Sequence, residues 1–166
     1  MECILALGTN LGDRATHLRQ ALAALRGILH IDAISRVYES EPVGLREQPE
    51  FWNLVLRAHT ELPPRQLLQA LKDIERSLGR TGAPRNAPRI IDIDLLSYDQ
   101  IVWHDHEMDI PHPRMQQRSF VLYPLAEVAP AFRHPESGKT VSQLTRELLD
   151  PTRAVPLADS VLETDE

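Results

Sequence analysis

With 166 residues, 42% of them hydrophobic and 25% charged, the chain is long enough for one domain with a sizeable core and too short for two ordinary ones; the composition is neither disordered nor fibrous. A formal net charge of -6 argues against general nucleic-acid binding, and a first apolar run of only residues 3–7, with no basic region before it, argues against a membrane span or signal peptide. The lone cysteine, Cys3, excludes an internal disulfide and a zinc site built mainly from thiolates, so a cytoplasmic protein is expected.

In chain order, residues 3–7 predict a short strand broken by Gly8. Asp13 then precedes a helix with Leu18, Ala21, Leu22 and Leu25 at helical spacing. Residues 31–39 and 51–60 favour strands, the second alternating so that Trp52, Leu54, Leu56 and Ala58 share one face. Between them, residues 42–49 read as a loop. Pro63 and Pro64 open a helix carrying Leu67, Leu68, Leu71, Ile74, Glu75 and Leu78, which Gly79 closes. Residues 80–89 form a polar loop with three arginines, and residues 90–98 an apolar strand. A hairpin strand at residues 101–103, a proline-rich connection at 111–113 and two short helical stretches follow. Residues 154–166 carry four acids, Asp159, Glu163, Asp165 and Glu166, and no base; they predict an unstructured acidic tail behind a single domain spanning residues 1–153.

The strand at residues 90–98 carries the chemistry. Side chains alternate along a strand, so Ile91, Ile93 and Leu95 share one face while Asp92 and Asp94 share the other. Two residues of rise separate the carboxylates by about 6.6 Å at Cα, near enough to bind one hard cation or flank a metal pair. Magnesium is the natural candidate, since it prefers oxygen and takes few protein carboxylates, leaving positions for substrate phosphates such as those of ATP. Arg80, Arg85 and Arg89 lead into these aspartates and supply phosphate-binding forks; a half-exposed strand with a solvated charge run is the plainer reading of the same residues.

Gly79-Arg80 followed by Arg85-Asn86-Ala87-Pro88-Arg89-Ile90-Ile91-Asp92-Ile93-Asp94 resembles the signature of the 6-hydroxymethyl-7,8-dihydropterin pyrophosphokinase family of folate biosynthesis. The resemblance extends through Gly8-Thr9-Asn10-Leu11-Gly12, Ser40-Glu41-Pro42-Val43-Gly44, Gln48-Pro49-Glu50-Phe51-Trp52-Asn53 and Pro111-His112-Pro113-Arg114, into Arg118-Ser119-Phe120. It implies transfer of pyrophosphate from ATP to the hydroxymethyl group of a reduced pterin, with release of AMP and two magnesium ions held by Asp92 and Asp94. Arg80, Arg89 and Asp94 would be catalytic, with the proton acceptor left between Asp94 and a metal-bound water. Glu75, Arg80, Arg85, Arg89, His112 and Arg118 would contact ATP, and Ser40, Pro42, Val43, Phe51, Asn53 and Phe120 the pterin. A flat pterin rewards aromatic stacking, and its amide-like edge suits an Asn side chain.

The resemblance also implies an α+β fold, an antiparallel sheet of ferredoxin-like type flanked by helices, acting as a monomer on small molecules. Departures from the family pattern fall in the arginine loop, where Gly82 and Asn86 stand in place of arginine and tryptophan. A metal-dependent phosphohydrolase using Asp92 and Asp94 to position water is the nearest enzyme alternative, and a small-molecule sensor the non-enzymatic one. His104, Asp105, His106 and Glu107 offer metal-ligand chemistry without supporting ligands and read as a solvated turn. Gly138-Lys139-Thr140 mimics the end of a phosphate-binding loop but reads as a surface turn, because Arg133 stands where that motif needs glycine.

Overall fold

Strand β1, Glu2–Thr9, is the spine of the molecule in the computed structural model, which describes residues 1–42, 47–79, 90–149 and 152–163. Gly8 does not end it: the strand runs on to Thr9, with Gly8 opposite Asn53 on one side and Asp92 on the other. Asp13 accepts a hydrogen bond from the Thr16 amide, capping α1, Arg14–Leu25, which buries Leu18, Ala21, Leu22 and Leu25 as its spacing requires.

The strand expected over residues 31–39 is split into β2, His30–Ile34, and β3, Tyr38–Ser40. Ser35 is the reason. Its backbone N–H donates to the Val55 carbonyl while its hydroxyl accepts the Val55 amide at 3.0 Å, so a side chain stands in for the ladder. Strand β4, Phe51–His59, pairs with both pieces and with β1. Pro63 and Pro64 begin α2, Pro64–Ser77, and Gly79 follows it with φ +92°, a left-handed position where a Cβ is costly. Strand β5 is Asp92–Tyr98.

The expected hairpin strand begins two residues later than the apolar run suggests, as β6, Trp103–His104, against β7, Asp109–Ile110. A cis Ile110–Pro111 bond follows. A short 3₁₀ turn, Met115–Gln117, leads into α3, Ser119–Val128, and Thr140 caps α4, Val141–Arg146, with a reciprocal capping box. That cap absorbs the Gly138-Lys139-Thr140 sequence into a turn, as expected.

The segment expected to be an unstructured tail is a correction. Strand β8, Ala154–Pro156, pairs antiparallel with β3, a second 3₁₀ turn spans Asp159–Leu162, and Leu157, Val161 and Leu162 pack on the core. Asp159 and Glu163 are exposed while the aliphatic residues between and before them find an apolar surface.

The main sheet is antiparallel throughout, with strand order β5-β1-β4-β3-β8 and β2 also on β4. Helices α1 and α2 cover one face over Leu5, Leu7, Leu54, Leu56, Ile93 and Leu95. Helices α3 and α4 cover the other over Ile4, Val55 and Leu96, which leaves the β3 ends of β1, β4 and β5 open on that side. Among the described residues, no helix is long and apolar enough to cross a membrane.

Candidate active site

The open end of that second face is a cleft of about 460 Å³. Its floor is read directly from strand register. Across the sheet, Asp92 on β5 faces Gly8 on β1, Gly8 faces Asn53 on β4, and Asn53 faces Tyr38 on β3, while Ser40 faces Phe51. Alternation sends Phe51, Asn53 and Val55 to this side and Trp52, Leu54 and Leu56 to the core beneath. Asp92 and Asp94 share the cleft side of β5 and are both half-buried.

The two ends differ in chemistry. At the β3–β4 end, the Asn53 amide donates to the Ser40 hydroxyl at 2.7 Å, and both residues are buried. A Cβ on residue 8 would lie 2.8 Å from Asn53 Oδ1 and 4.0 Å from the Phe51 ring, so glycine is required for strand and amide to approach this closely. Phe120, from the first turn of α3, lines the cleft with Phe51, and Arg118 lies over the Phe120 ring at 5.4 Å.

At the β5 end, His112, Arg114, Arg118 and Asp109 gather beside Asp92 and Asp94. The amide of His112 donates to the Leu96 carbonyl at 2.8 Å, which ties the proline-rich connection to β5. Burial, reinforced by the Arg118 charge, pushes the His112 imidazole down to about 4, so the ring is neutral near pH 7.

Of the residues expected from sequence, Ser40, Phe51, Asn53, Asp92, Asp94, His112, Arg118 and Phe120 line this one cleft. Pro42 is half-buried just beyond its lining. Val43, Arg80, Arg85 and Arg89 lie outside the described residues, as do Gly82 and Asn86. Glu75 sits elsewhere than expected: it is buried beneath β5, where its carboxylate accepts the Ile93 amide at 3.0 Å. Asp109, Arg114 and Glu41 line the cleft without having been singled out as ligands. Arg114 belonged to a quoted motif; for Asp109 no motif or periodicity gave a signal. Cys3 is fully buried in the core, its thiol pushed up to about 12 by that burial, which removes it as a nucleophile.

The model of the 7,8-dihydro-6-hydroxymethylpterin-pyrophosphokinase (HPPK) family matches residues 4–130. The chain belongs to this family. It is 39% identical over 143 residues to the 2-amino-4-hydroxy-6-hydroxymethyldihydropteridine pyrophosphokinase of Aquifex aeolicus, a match covering 86% of this chain and 89% of that one. The Bacillus subtilis protein of the same name is 42% identical over 126 residues, covering 75% of each. Folic acid synthesis protein FOL1 of Dictyostelium discoideum is 39% identical over 84% of this chain, which spans only 21% of that longer protein. Among solved structures, wild-type HPPK-DHPS of Plasmodium falciparum with pterin and p-hydroxybenzoate superposes with a TM-score of 0.71 at 18% identity. That match covers 88% of this chain and 41% of the other, and it supports the fold.

Proposed function

We infer that the chain transfers pyrophosphate from ATP to the hydroxymethyl group of 6-hydroxymethyl-7,8-dihydropterin, giving AMP and the pterin diphosphate in folate synthesis. One observation carries this reading: a single cleft joins an aromatic and amide end to a carboxylate, imidazole and guanidinium end, in a chain of the HPPK family. The element order of strand, helix, the split strand β2–β3, strand β4, helix, strand, with β5 and β4 flanking β1, also supports a ferredoxin-like plait, in which loops at one sheet end form the cleft.

The pterin would stack between Phe51 and Phe120, its ring edge meeting Asn53 and Ser40, with Pro42 and Val43 closing that edge. Asn53 spends one N–H on Ser40, so its Oδ1 is the acceptor available for a ring N–H. His112 accepts the Arg114 amide at Nδ1, 3.2 Å away, so the neutral ring carries its proton on Nε2 and donates from there. Arg118 adds a fixed positive charge beside it, and Arg80, Arg85 and Arg89 would add theirs from the preceding loop.

Asp92 and Asp94 would hold magnesium, two ions on the family pattern. The donor set fits: two hard carboxylates on one strand face, opposite Gly8 and Ala6, whose small or absent side chains leave room above the sheet. When bound, magnesium would offset the negative charge of the phosphate chain. The pterin hydroxyl oxygen forms a bond to the β-phosphorus as the bond from that phosphorus to the α,β-bridging oxygen breaks. AMP departs with the electron pair, and the hydroxyl proton is lost. Positioning and charge stabilisation supply the rate. The same reading makes the chain a cytoplasmic monomer whose partners are its two substrates.

Incubation with ATP, magnesium and the reduced pterin, with AMP and ADP resolved, tests this. AMP should form only when pterin is added; ADP or phosphate released without pterin would make the chain a phosphohydrolase. Asp94→Ala should lower kcat by about 10²–10³-fold while pterin binding persists, and turnover at the wild-type rate would overturn the metal assignment.

A further inference from the structure

Arg14 grips, from behind the sheet, the strand that carries Phe51. It is the first residue of α1, where the helix dipole disfavours a cation, and it lies between the family motifs at residues 8–12 and 40–44 rather than within one. Its guanidinium holds both chain neighbours of Phe51. Nη1 donates to the Glu50 carbonyl at 2.7 Å, and the guanidinium carbon sits 4.5 Å from the centre of the Trp52 ring. Trp52 in turn donates its indole N–H to Glu39 Oε2 at 2.8 Å, the same oxygen that lies 3.8 Å from Arg14 Nη1. That indole N–H is the foremost of the groups that keep the Glu39 carboxyl below the usual carboxylate range, so the guanidinium has an ionised counter-charge near pH 7.

We propose that Arg14 is a positioning residue for the pterin: by fixing Glu50 and Trp52 it sets the angle at which the Phe51 ring enters the cleft. The inference rests on the pterin reading above and extends it to a residue that does not line the cleft. Strand register shows why Phe51 needs such a brace. It is the first residue of β4, paired with Ser40 on β3, whereas the β1 ladder stops one residue later, at Thr9 opposite Trp52. Phe51 is therefore laddered on one side only, and strand ends held by few hydrogen bonds are the first to open. Arg14 supplies on the β1 side what the ladder omits, with the Glu50 carbonyl as its acceptor. The residues before it are tied in the same way, since Asn10 Nδ2 donates to Gln48 Oε1 at 2.8 Å and to the Pro49 carbonyl at 3.1 Å. Stacking depends on ring angle and offset, so a backbone free to rock at residues 50–52 would cost pterin contact without unfolding the strand. The nucleotide end is insulated, because β4 stands two strands from β5 and its carboxylates.

Calorimetric titration of the full chain with the reduced pterin, in the presence of magnesium and an ATP analogue carrying a methylene group in place of the α,β-bridging oxygen, tests the assignment. Arg14→Ala should bind pterin about tenfold more weakly, the scale of one hydrogen bond to a charged group, and bind the nucleotide analogue as the wild type does. Arg14→Lys keeps the charge but lacks the planar fork that serves carbonyl and ring together, so it should fall between. The deciding readout is a cycle with Phe51→Leu, which keeps apolar bulk and removes the flat ring. With no ring left to aim, removal of Arg14 should change pterin affinity by less than about twofold. The full loss persisting in the Phe51→Leu background, an unchanged pterin affinity in Arg14→Ala, or a loss shared equally by pterin and nucleotide overturns the proposal. The functional reading fails separately: wild type that binds the nucleotide and no pterin would sink the activity and this assignment together, whereas pterin binding indifferent to Arg14 removes the assignment alone.

Discussion

His112 and Gly8 show how single positions set the properties of the cleft. A histidine whose proton affinity falls from the ordinary 6.5 to about 4 on folding binds fewer protons when folded than when unfolded across that interval. Its contribution to stability is therefore complete above about pH 6.5 and is lost progressively as pH falls towards 4. Nitrogen NMR of the imidazole should give a midpoint near 4 with the proton on Nε2, and His112→Gln should flatten the decline in Tm between pH 6.5 and 4. A midpoint near 6.5 would remove the neutral donor from the mechanism. At Gly8 the issue is space. A methyl group 2.8 Å from Asn53 Oδ1 must displace that amide, because the β1 and β4 backbones are locked in register. Gly8→Ala should weaken pterin binding by about tenfold, roughly the value of one lost hydrogen bond, with little change in far-UV circular dichroism. Unchanged pterin affinity would show that Asn53 does not need its present position.

At the scale of elements, Glu75 redefines what α2 does for the cleft. Its place on the helical stripe with Leu67 and Leu71 puts a carboxyl group among apolar residues, where it accepts the Ile93 amide between Asp92 and Asp94. That hydrogen bond ties β5 between the two cleft carboxylates from below. Glu75→Ala should cost about 1–3 kcal/mol in urea unfolding and lower kcat more than it raises either KM, whereas Glu75→Gln retains an acceptor and should lose less. Wild-type stability in Glu75→Ala would end the bracing role. The helices were legible from sequence because leucine spacing, Asp13, the Pro63-Pro64 pair and Gly79 all act locally. So was the sidedness of β4 and β5, since alternation alone separates Phe51 and Asn53 from Leu54, and Asp92 and Asp94 from Ile93. The break at Ser35 was not legible, because it depends on one hydroxyl meeting the Val55 amide of another strand. Nor was Asp109, whose partner His104 looked like one member of a solvated acidic turn until pairing of β6 with β7 set the two side by side.

Over the whole molecule, charge counting misread the C-terminal segment. Four acids over residues 154–166 suggest solvent, yet Val155 and Pro156 suit an edge strand, where a missing N–H costs little, and Leu157, Val161 and Leu162 supply apolar contacts. Strand β8 covers the edge of β3, and β3 carries Ser40 into the cleft. Ser40 is paired with Ala154, and the Glu41 amide reaches the Arg153 carbonyl at 3.4 Å, so the segment lies one strand behind the pterin end. A chain ending at residue 153 loses the pairing and three partly buried aliphatic side chains. At about half the value of full burial each, that loss is about 2–4 kcal/mol. The urea midpoint of the truncated chain should fall accordingly, and its KM for pterin should rise while its KM for ATP holds, because the charged end on β5 is four strands away from β8. An unchanged midpoint would return the segment to the status of a tail, and a rise confined to the ATP KM would mean that β8 supports the cleft from a different side than its pairing indicates.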